Sequence, residues 1–133
     1  MDIALNDQTT MKFYAVHPRP PRPEDDPDCL DTELKILAHD AYACNMPVIV
    51  AGDMNEVGWS GALRRFRIMS GLNDAQRGRM ICNSYNAKFL VVRWPLDHAY
   101  HSDAISVTSL KRLSKFGSDH FPILFDFTVS EPG

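Results

Sequence analysis

Two segments of the chain repeat their apolar residues at spacings of three and four, the period of one helix face. Pro47 disfavours helical geometry in the residue before it, so the first helix should end by Met46. Ser60 is suited to cap the second helix, and Gly71 to end it. The apolar positions are Leu30, Leu34, Leu37 and Ala41 in the first segment and Leu63, Phe66 and Met69 in the second.

Other apolar residues form short continuous runs, which are typical of strands. Residues 48–51 predict a strand that is buried on both faces. Residues 3–5 and 11–16 flank an Asn-Asp turn sequence, so they predict a β-hairpin. Later strands are predicted at residues 89–92, 96–100, 105–110 and 123–129. Because strands outnumber helices and their order is mixed, the predicted fold class is α+β, with a mixed sheet covered by helices.

Length and composition fit one folded domain over residues 1–133. Hydrophobic residues make up 44% of the chain and charged residues 23%, which argues against disorder. No apolar run approaches the roughly 20 residues that span a bilayer, and the first residues do not resemble a secretory signal. Three cysteines without CxxC spacing argue against a disulfide framework or a zinc site. We therefore expect a cytoplasmic protein that does not insert into membranes.

Charge is unevenly distributed along the chain. Residues 1–60 carry four Lys and Arg against eleven acidic residues, whereas residues 61–100 carry seven against two. A phosphate-rich partner would suit this basic segment, and a solvated helix face explains it equally well. The seven cations are Arg64, Arg65, Arg67, Arg77, Arg79, Lys88 and Arg93.

The first group of candidate functional residues follows the strand predicted at residues 48–51. Gly52 allows the backbone to turn, and Asp53 and Asn55, two positions apart, share a side if strand geometry continues. Such hard oxygen ligands suit Mg²⁺. An Asx turn that merely closes the strand is the alternative interpretation.

Two further groups lie closer to the C-terminus. Asp97 falls inside a predicted strand, where a buried carboxylate needs a partner. Asp119 and His120 form an adjacent pair in a turn before the last strand, so a carboxylate could reach a metal while an imidazole reaches a phosphate. Either group alone is unremarkable, because adjacent Asp-His pairs occur by chance.

Taken together and in this order, the groups resemble the C-terminal half of the endonuclease/exonuclease/phosphatase superfamily, which includes pancreatic deoxyribonuclease. The resemblance rests on Val-Ile-Val-Ala-Gly-Asp-Met-Asn at 48–55, Leu-Asp-His at 96–98, Gly-Ser-Asp-His-Phe-Pro at 117–122 and Gly-Leu-Asn-Asp-Ala at 71–75. His17, at a strand end before a proline-rich turn, resembles the histidine of the superfamily's strand and His-Pro signature. The implied fold is half of a four-layer α/β sandwich of the deoxyribonuclease I type.

The resemblance implies Mg²⁺- or Mn²⁺-dependent hydrolysis of a phosphoester, with nucleic acid among the candidate substrates. Asp53 would orient or deprotonate the attacking water and also serve the metal, and Asn55 would hold water and phosphate. Asp119 would serve the metal, whereas His120 and His17 would face the phosphate. Asp97 would pair with His120. Arg77 and Arg93 could extend the contact with the substrate, although surface solubility explains them equally well.

This sequence departs from the superfamily in lacking the N-terminal half, which supplies an early Asn and a metal-binding Glu. Glu24 and Glu33 follow His17 in the chain, so neither can be that glutamate. Activity is therefore expected to be weak or absent. The alternative is a non-catalytic half-domain that binds phosphate or protein, and a third interpretation is an interaction protein that uses residues 17–23 and the basic segment. The missing half would leave one sheet face open, for which we expect a homodimer.

Overall fold

The computed structural model describes residues 1–20, 29–79, 83–88 and 93–130. Within them lie two helices and seven strands. In chain order they are β1 (Asp2–Ala4), β2 (Thr10–Val16), α1 (Cys29–Tyr42), β3 (Val48–Asp53), α2 (Gly61–Ser70), β4 (Asn73–Asp74), β5 (Asp97–His101), β6 (Ile105–Arg112) and β7 (Ile123–Val129). The α+β class predicted from the sequence is confirmed. The strand predicted at 89–92 and part of the proline-rich segment lie outside the described residues.

Five strands form one mixed sheet in the order β1-β2-β3-β5-β4. The predicted hairpin is present as β1 and β2, and the Asn6 side chain accepts hydrogen bonds from the N–H groups of Gln8 and Thr9 in its turn. β2 and β3 run parallel, which requires a crossover, and α1 provides it. β5 then inserts antiparallel between β3 and the short strand β4, which the apolar pattern did not predict.

Both helices cover one face of this sheet. The core on that side joins Leu34 and Ala38 of α1 to Leu63 and Phe66 of α2, and Phe66 packs edge-to-face on Tyr100 with ring centroids 5.1 Å apart. Burial raises the pKa of the Tyr100 hydroxyl. Packing of the two helices on this face therefore fixes the positions of β3 and β5.

The second helix begins and ends where the sequence predicts. The Ser60 hydroxyl accepts a hydrogen bond from the Leu63 N–H, and Gly71 has the left-handed conformation with φ of 67°. The apolar face of this helix differs in one position from the prediction. Met69 is 44% exposed, whereas Ser70 is buried, since the inward face continues from Leu63 and Phe66 by a step of four rather than three.

The opposite face of the sheet is covered in part by β6 and β7, which form an antiparallel pair. Ile105 packs there with Met11 and Ile49, and Phe13, Ala51 and the β7 phenylalanines surround them. A cleft of about 460 Å³ remains between the sheet and this pair, with Phe13, Leu110, Ile123 and Phe125 on its walls. The face expected to be open is thus half covered. None of the helices in the described part of the chain is long and apolar enough to cross a membrane.

Candidate functional site

The antiparallel register of β3 and β5 brings two acidic residues together at one sheet edge. Asp53 is the last residue of β3, Asp97 is the first of β5, and the two are paired across the strands. On the other side of β3, Val16 pairs with Gly52, so His17 leaves β2 at the same edge. Three residues far apart in the sequence are therefore placed on one rim by strand pairing.

His120 completes this cluster and contacts both carboxylates. Its Nδ1 lies 2.8 Å from Oδ2 of Asp97, and its Nε2 lies 3.5 Å from Oδ2 of Asp53. The Nε2 of His17 lies 3.6 Å from the same Asp53 oxygen. One carboxylate oxygen thus lies near two imidazoles, while a second carboxylate orients one of them.

The ring of His120 is held by a segment that sequence analysis did not single out. The ring of Tyr85 packs against it with centroids 4.9 Å apart. Within the motif at 117–122, the Ser118 hydroxyl accepts a hydrogen bond from the backbone N–H of His120. The buried Ser84 hydroxyl accepts a bond from the Asp97 N–H, and its carbonyl accepts one from the Phe121 N–H. Because residues 83–88 have no regular structure, periodicity could not reveal their role. A neighbouring Ser-Tyr pair is a weak indication by itself.

Asn55 is positioned by a turn and not by a continued strand. Its φ of 51° is left-handed, and its N–H donates a 2.8 Å hydrogen bond to Oδ1 of Asp53. Its side-chain amide donates to the carbonyl of Pro18 at 2.7 Å. The assumption that strand geometry persists to Asn55 is therefore wrong, because the chain turns after Asp53. The Asx turn is formed, and it joins the β3 end to the segment that carries His17.

Asp119 and the two arginines lie outside this contact cluster. Asp119 is exposed, and its carbonyl accepts a hydrogen bond from the Ala87 N–H. Arg77 is exposed and lines a separate cleft behind β5, beside Trp59 and His98. The guanidinium carbon of Arg93 lies 5.0 Å from the centre of the Phe121 ring, one residue beyond His120.

The described side chains of the rim do not by themselves form a grouped metal site. In residues 1–20, 29–79, 83–88 and 93–130 no group of three His, Cys, Asp or Glu could hold a metal ion. Oδ1 of Asp53 already accepts a hydrogen bond from the Asn55 N–H, and Oδ2 lies near the Nε2 atoms of His17 and His120. Carboxylate oxygens are suitable ligands for Mg²⁺, which often takes only one or two from protein and the rest from water and substrate phosphate.

The exposure of the cluster suits a small anionic ligand. The side chains of Asp53, Asp97 and His120 are 15%, 23% and 25% exposed, whereas that of His17 is 73% exposed. The rim is thus a shallow site with a fixed imidazole at its base and a more accessible one at its edge. Such an arrangement can donate hydrogen bonds to a phosphate while a carboxylate accepts one from water.

Comparison of the chain with protein families gives its class. Residues 2–120 match the model of the endonuclease/exonuclease/phosphatase family. Since the match covers most of the chain, this protein belongs to that family, as the motifs predicted. A search of curated proteins found no match.

Solved structures also superpose on this chain, although their sequence identity to it is low. A mannosyl-6-phosphatase from Bacteroides thetaiotaomicron VPI-5482 superposes with a TM-score of 0.65 and 17% identity, covering 90% of this chain and 52% of its own. The human Nocturnin catalytic domain with bound sulfate superposes with a TM-score of 0.63 and 19% identity, covering 92% of this chain and 47% of its own. TDP2 from D. rerio, solved with a single-strand DNA product, superposes with a TM-score of 0.67 and 15% identity, covering 96% of this chain and 60% of its own.

These similarities show the fold. The chain spans about half the length of the solved structures that it matches. The sequence-based prediction of half a deoxyribonuclease I-like sandwich is therefore confirmed. The related structures include a mannosyl-6-phosphatase, whose similarity to this chain at 17% identity shows the fold alone.

Proposed function

We propose that this chain forms the phosphate-binding and water-orienting part of a metal-dependent phosphoester hydrolase of the nuclease type. The observation that carries the proposal is the approach of His17 and His120 to one oxygen of Asp53, at 3.6 and 3.5 Å. Imidazole donors beside a carboxylate can bind a phosphate oxygen and a water at neighbouring positions. Phosphoryl transfer is promoted mainly by such positioning and by countering charge on the nonbridging oxygens.

His120 would act on the phosphate through Nε2. Its Nδ1–H donates to Asp97 at 2.8 Å, which leaves Nε2 as the ring atom directed toward the rim. Protonated Nε2 would donate to a nonbridging oxygen as charge builds there. Asp97 is then a positioning residue, and the exposed His17 supplies a second donor from the rim's edge.

Asp53 would orient the attacking water and accept its proton. Oδ1 is held by the Asn55 N–H at 2.8 Å, so Oδ2 keeps a fixed direction into the rim. Asn55 would hold the water and the phosphate from the adjoining turn, whose geometry the Pro18 carbonyl fixes. Arg77 and Arg93 would contact more distant parts of the substrate.

Asp53 and Asp119 would hold the metal, Mg²⁺ or Mn²⁺. When bound, the ion would neutralise charge on the phosphate. Two carboxylates suffice where substrate and water complete the coordination, because Mg²⁺ retains several waters in many protein sites. Such a site would bind metal weakly until the phosphate is present.

The test is hydrolysis of bis-p-nitrophenyl phosphate with Mg²⁺ or Mn²⁺. Asp53→Asn and His120→Gln should each lower the rate by about 100-fold or more, since each removes one group that acts in the transition state. The matched controls Asp40→Asn and His39→Gln change exposed residues of α1 and should retain the parent rate. Equal rates for Asp53→Asn and the parent would refute the assignment.

A non-catalytic phosphate-binding half-domain is the second candidate. It is favoured by the lack, among the described residues, of three side chains grouped to hold a metal. This alternative predicts that inorganic phosphate binds in calorimetry, that His120→Gln weakens the binding, and that Mn²⁺ produces neither heat nor turnover. Metal binding that appears only with phosphate, together with turnover, would exclude it.

The partly covered sheet face suggests that the chain associates with a second copy of itself. The single domain at 1–133 would associate with a second copy through the 460 Å³ cleft and the neighbouring exposed Leu124 and Phe116. A dimer would bury this apolar surface, and it would have to leave Asp97 and His120, which line the same cleft, open to the substrate. Light scattering should give twice the monomer mass, and Leu124→Glu should halve it. A parent monomer at high micromolar concentration would contradict this assembly.

A further inference from the structure

A second cleft, here called the basic groove, lies beside the candidate site. It has a volume of about 640 Å³ and is lined by Lys88, Arg93, Arg112 and Lys115, with Phe121 in its wall. No carboxylate of the described residues lines it. Four cations therefore face one open space without an acidic residue among them, on a chain whose net charge is −3.

The charges of the groove are held close together despite their mutual repulsion. The guanidinium carbons of Arg112 and Arg93 lie 4.4 and 5.0 Å from the centre of the same Phe121 ring. Arg112 also donates a 2.8 Å hydrogen bond to the Asn83 carbonyl. Among the described residues, no carboxylate pairs with Lys88, Arg112 or Lys115. An anion in the groove would relieve this concentration of positive charge.

The groove shares one wall residue with the cleft of the candidate site. Phe121 follows His120 in the chain and lines both the basic groove and the cleft that contains Asp97 and His120. Backbone hydrogen bonds join the walls of the groove to residues 119–122. These run from the Ala87 N–H to the Asp119 carbonyl at 2.7 Å and from the Leu113 N–H to the Pro122 carbonyl at 2.9 Å. A polymer with one phosphate at His120 would enter the groove with its next phosphates.

We propose that the basic groove binds a single-stranded nucleic acid on one side of the phosphate held at His120. The inference rests on the proposed function, since it names the substrate class of that same site. Four cations exceed what one phosphate monoester can use, whereas a strand presents a new charge at every nucleotide. Trp94 and Phe116, which follow the lining residues Arg93 and Lys115 in the chain, are 48% and 75% exposed and offer rings on which unpaired bases could stack.

The test is binding of fluorescent oligo(dT) to the full chain, measured by anisotropy at several salt concentrations. The double variant Lys88→Gln/Lys115→Gln should weaken binding about tenfold. It should also reduce the slope of log K against log salt by about 1.4, or 0.7 for each lost phosphate contact. The control Arg64→Gln/Lys111→Gln removes the same charge at exposed residues outside the groove and should keep the parent affinity and slope.

Other results would overturn the inference in distinct ways. Equal losses in the two double variants would mean nonspecific charge attraction, and equal affinity for thymidine monophosphate would mean a single-phosphate subsite. Tighter binding of duplex would exclude a single-strand groove. Asp53→Asn should abolish hydrolysis while oligo(dT) binding persists. If the parent binds oligo(dT) in the groove but hydrolyses no phosphoester, the proposed function fails while the groove stands.

Discussion

The Nδ1 of His120 lies 2.8 Å from Oδ2 of Asp97, although the two residues are 23 positions apart in the sequence. Asp97 is fixed by β5, whose first residue pairs with the last residue of β3. His120 is fixed by the ring of Tyr85 and by the Ser118 hydroxyl. Two separate parts of the fold therefore contact the imidazole, Asp97 at Nδ1 and Tyr85 by ring packing, while Ser118 holds the backbone of His120.

Asp97→Ala should change the preferred tautomer of His120. Without a carboxylate at Nδ1, the proton should move mainly to Nε2, which is the common tautomer of free histidine. Nitrogen-15 NMR of the imidazole would detect the exchange, and hydrolysis should fall roughly 10- to 100-fold, as for other residues that orient a functional histidine. The control is Asp126→Ala, an exposed carboxylate of β7. An unchanged tautomer in the Asp97 variant would show that the Asp97 carboxylate does not determine which ring nitrogen of His120 carries the proton.

Gly52→Ala should destabilise the fold strongly. Gly52 has φ of 150°, and a Cβ there would lie 2.0 Å from the Val16 carbonyl oxygen, so β2 and β3 would have to separate. We expect a loss on the order of 3 kcal/mol or more in the free energy of unfolding. Gly78→Ala is the matched control, because its φ of 76° is strained while no atom lies within 4 Å of the added Cβ. That change should cost about 1 kcal/mol.

Urea unfolding of both glycine variants separates the cost of the close Cβ contact from the cost of backbone strain. If Gly52→Ala costs no more than Gly78→Ala, the approach of the Val16 carbonyl is not a constraint. The result also matters for the site, because Gly52 precedes Asp53 and pairs with Val16 next to His17. Separation of these strands would move both side chains away from the shared Asp53 oxygen.

Local patterns predicted the elements of this fold better than they predicted the contacts of its site. The α2 cap at Ser60 and its end at Gly71 follow from signals within a few residues of each terminus. The proximity of Asp53 to Asp97 depends on β5 inserting beside β3, a long-range pairing that no local period encodes. Motif resemblance singled out Asp53, Asp97, His17 and His120, and the described contacts bring these four together.

Residues outside motifs and periods were not found from the sequence. Arg112 and Lys115 lie beyond the basic segment at 61–100, and they line one groove with Lys88 and Arg93, where Arg93 and Arg112 both lie over the Phe121 ring. Tyr85 lies in a segment without regular structure. Asn55 was placed on an extended strand, whereas a turn carries it. In each case the deciding interaction joins distant parts of the chain or depends on one dihedral angle.

Substitutions of Asn55 should separate its conformational role from its hydrogen bond. Asn55→Gly accepts the φ of 51° but loses the donor to the Pro18 carbonyl, whereas Asn55→Ala loses the donor and adds strain. The free energy of unfolding should therefore fall in the order Asn, Gly, Ala, with about 1 kcal/mol between the last two. Thermal unfolding measures the order. Equal stabilities for Gly and Ala would show that the turn relaxes.

The buried carboxylate of Asp31 should contribute to stability in a pH-dependent way. Its oxygens lie 2.6 Å from Nζ of Lys35 and 2.8 Å from Nη2 of Arg65, so it joins α1 to α2. The hydrogen bond from Lys35, followed by that from Arg65, lowers the pKa of Asp31 below its ordinary 3.8. A group with a lowered pKa in the folded state stabilises the fold above its unfolded pKa, and the contribution is lost as the pH falls through the folded value.

Asp31→Asn should therefore destabilise the chain by a constant amount between about pH 5 and 7, and the difference from the parent should shrink below about pH 4. Urea unfolding across this range measures the effect. Asp40→Asn, an exposed position on the same helix, is the control and should follow the parent at every pH. A difference for Asp31→Asn that persists undiminished to pH 2 would show that Asn loses something other than charge, such as packing between the helices. Convergence of the two curves would instead establish the ion pairs of Asp31 as the link between α1 and α2.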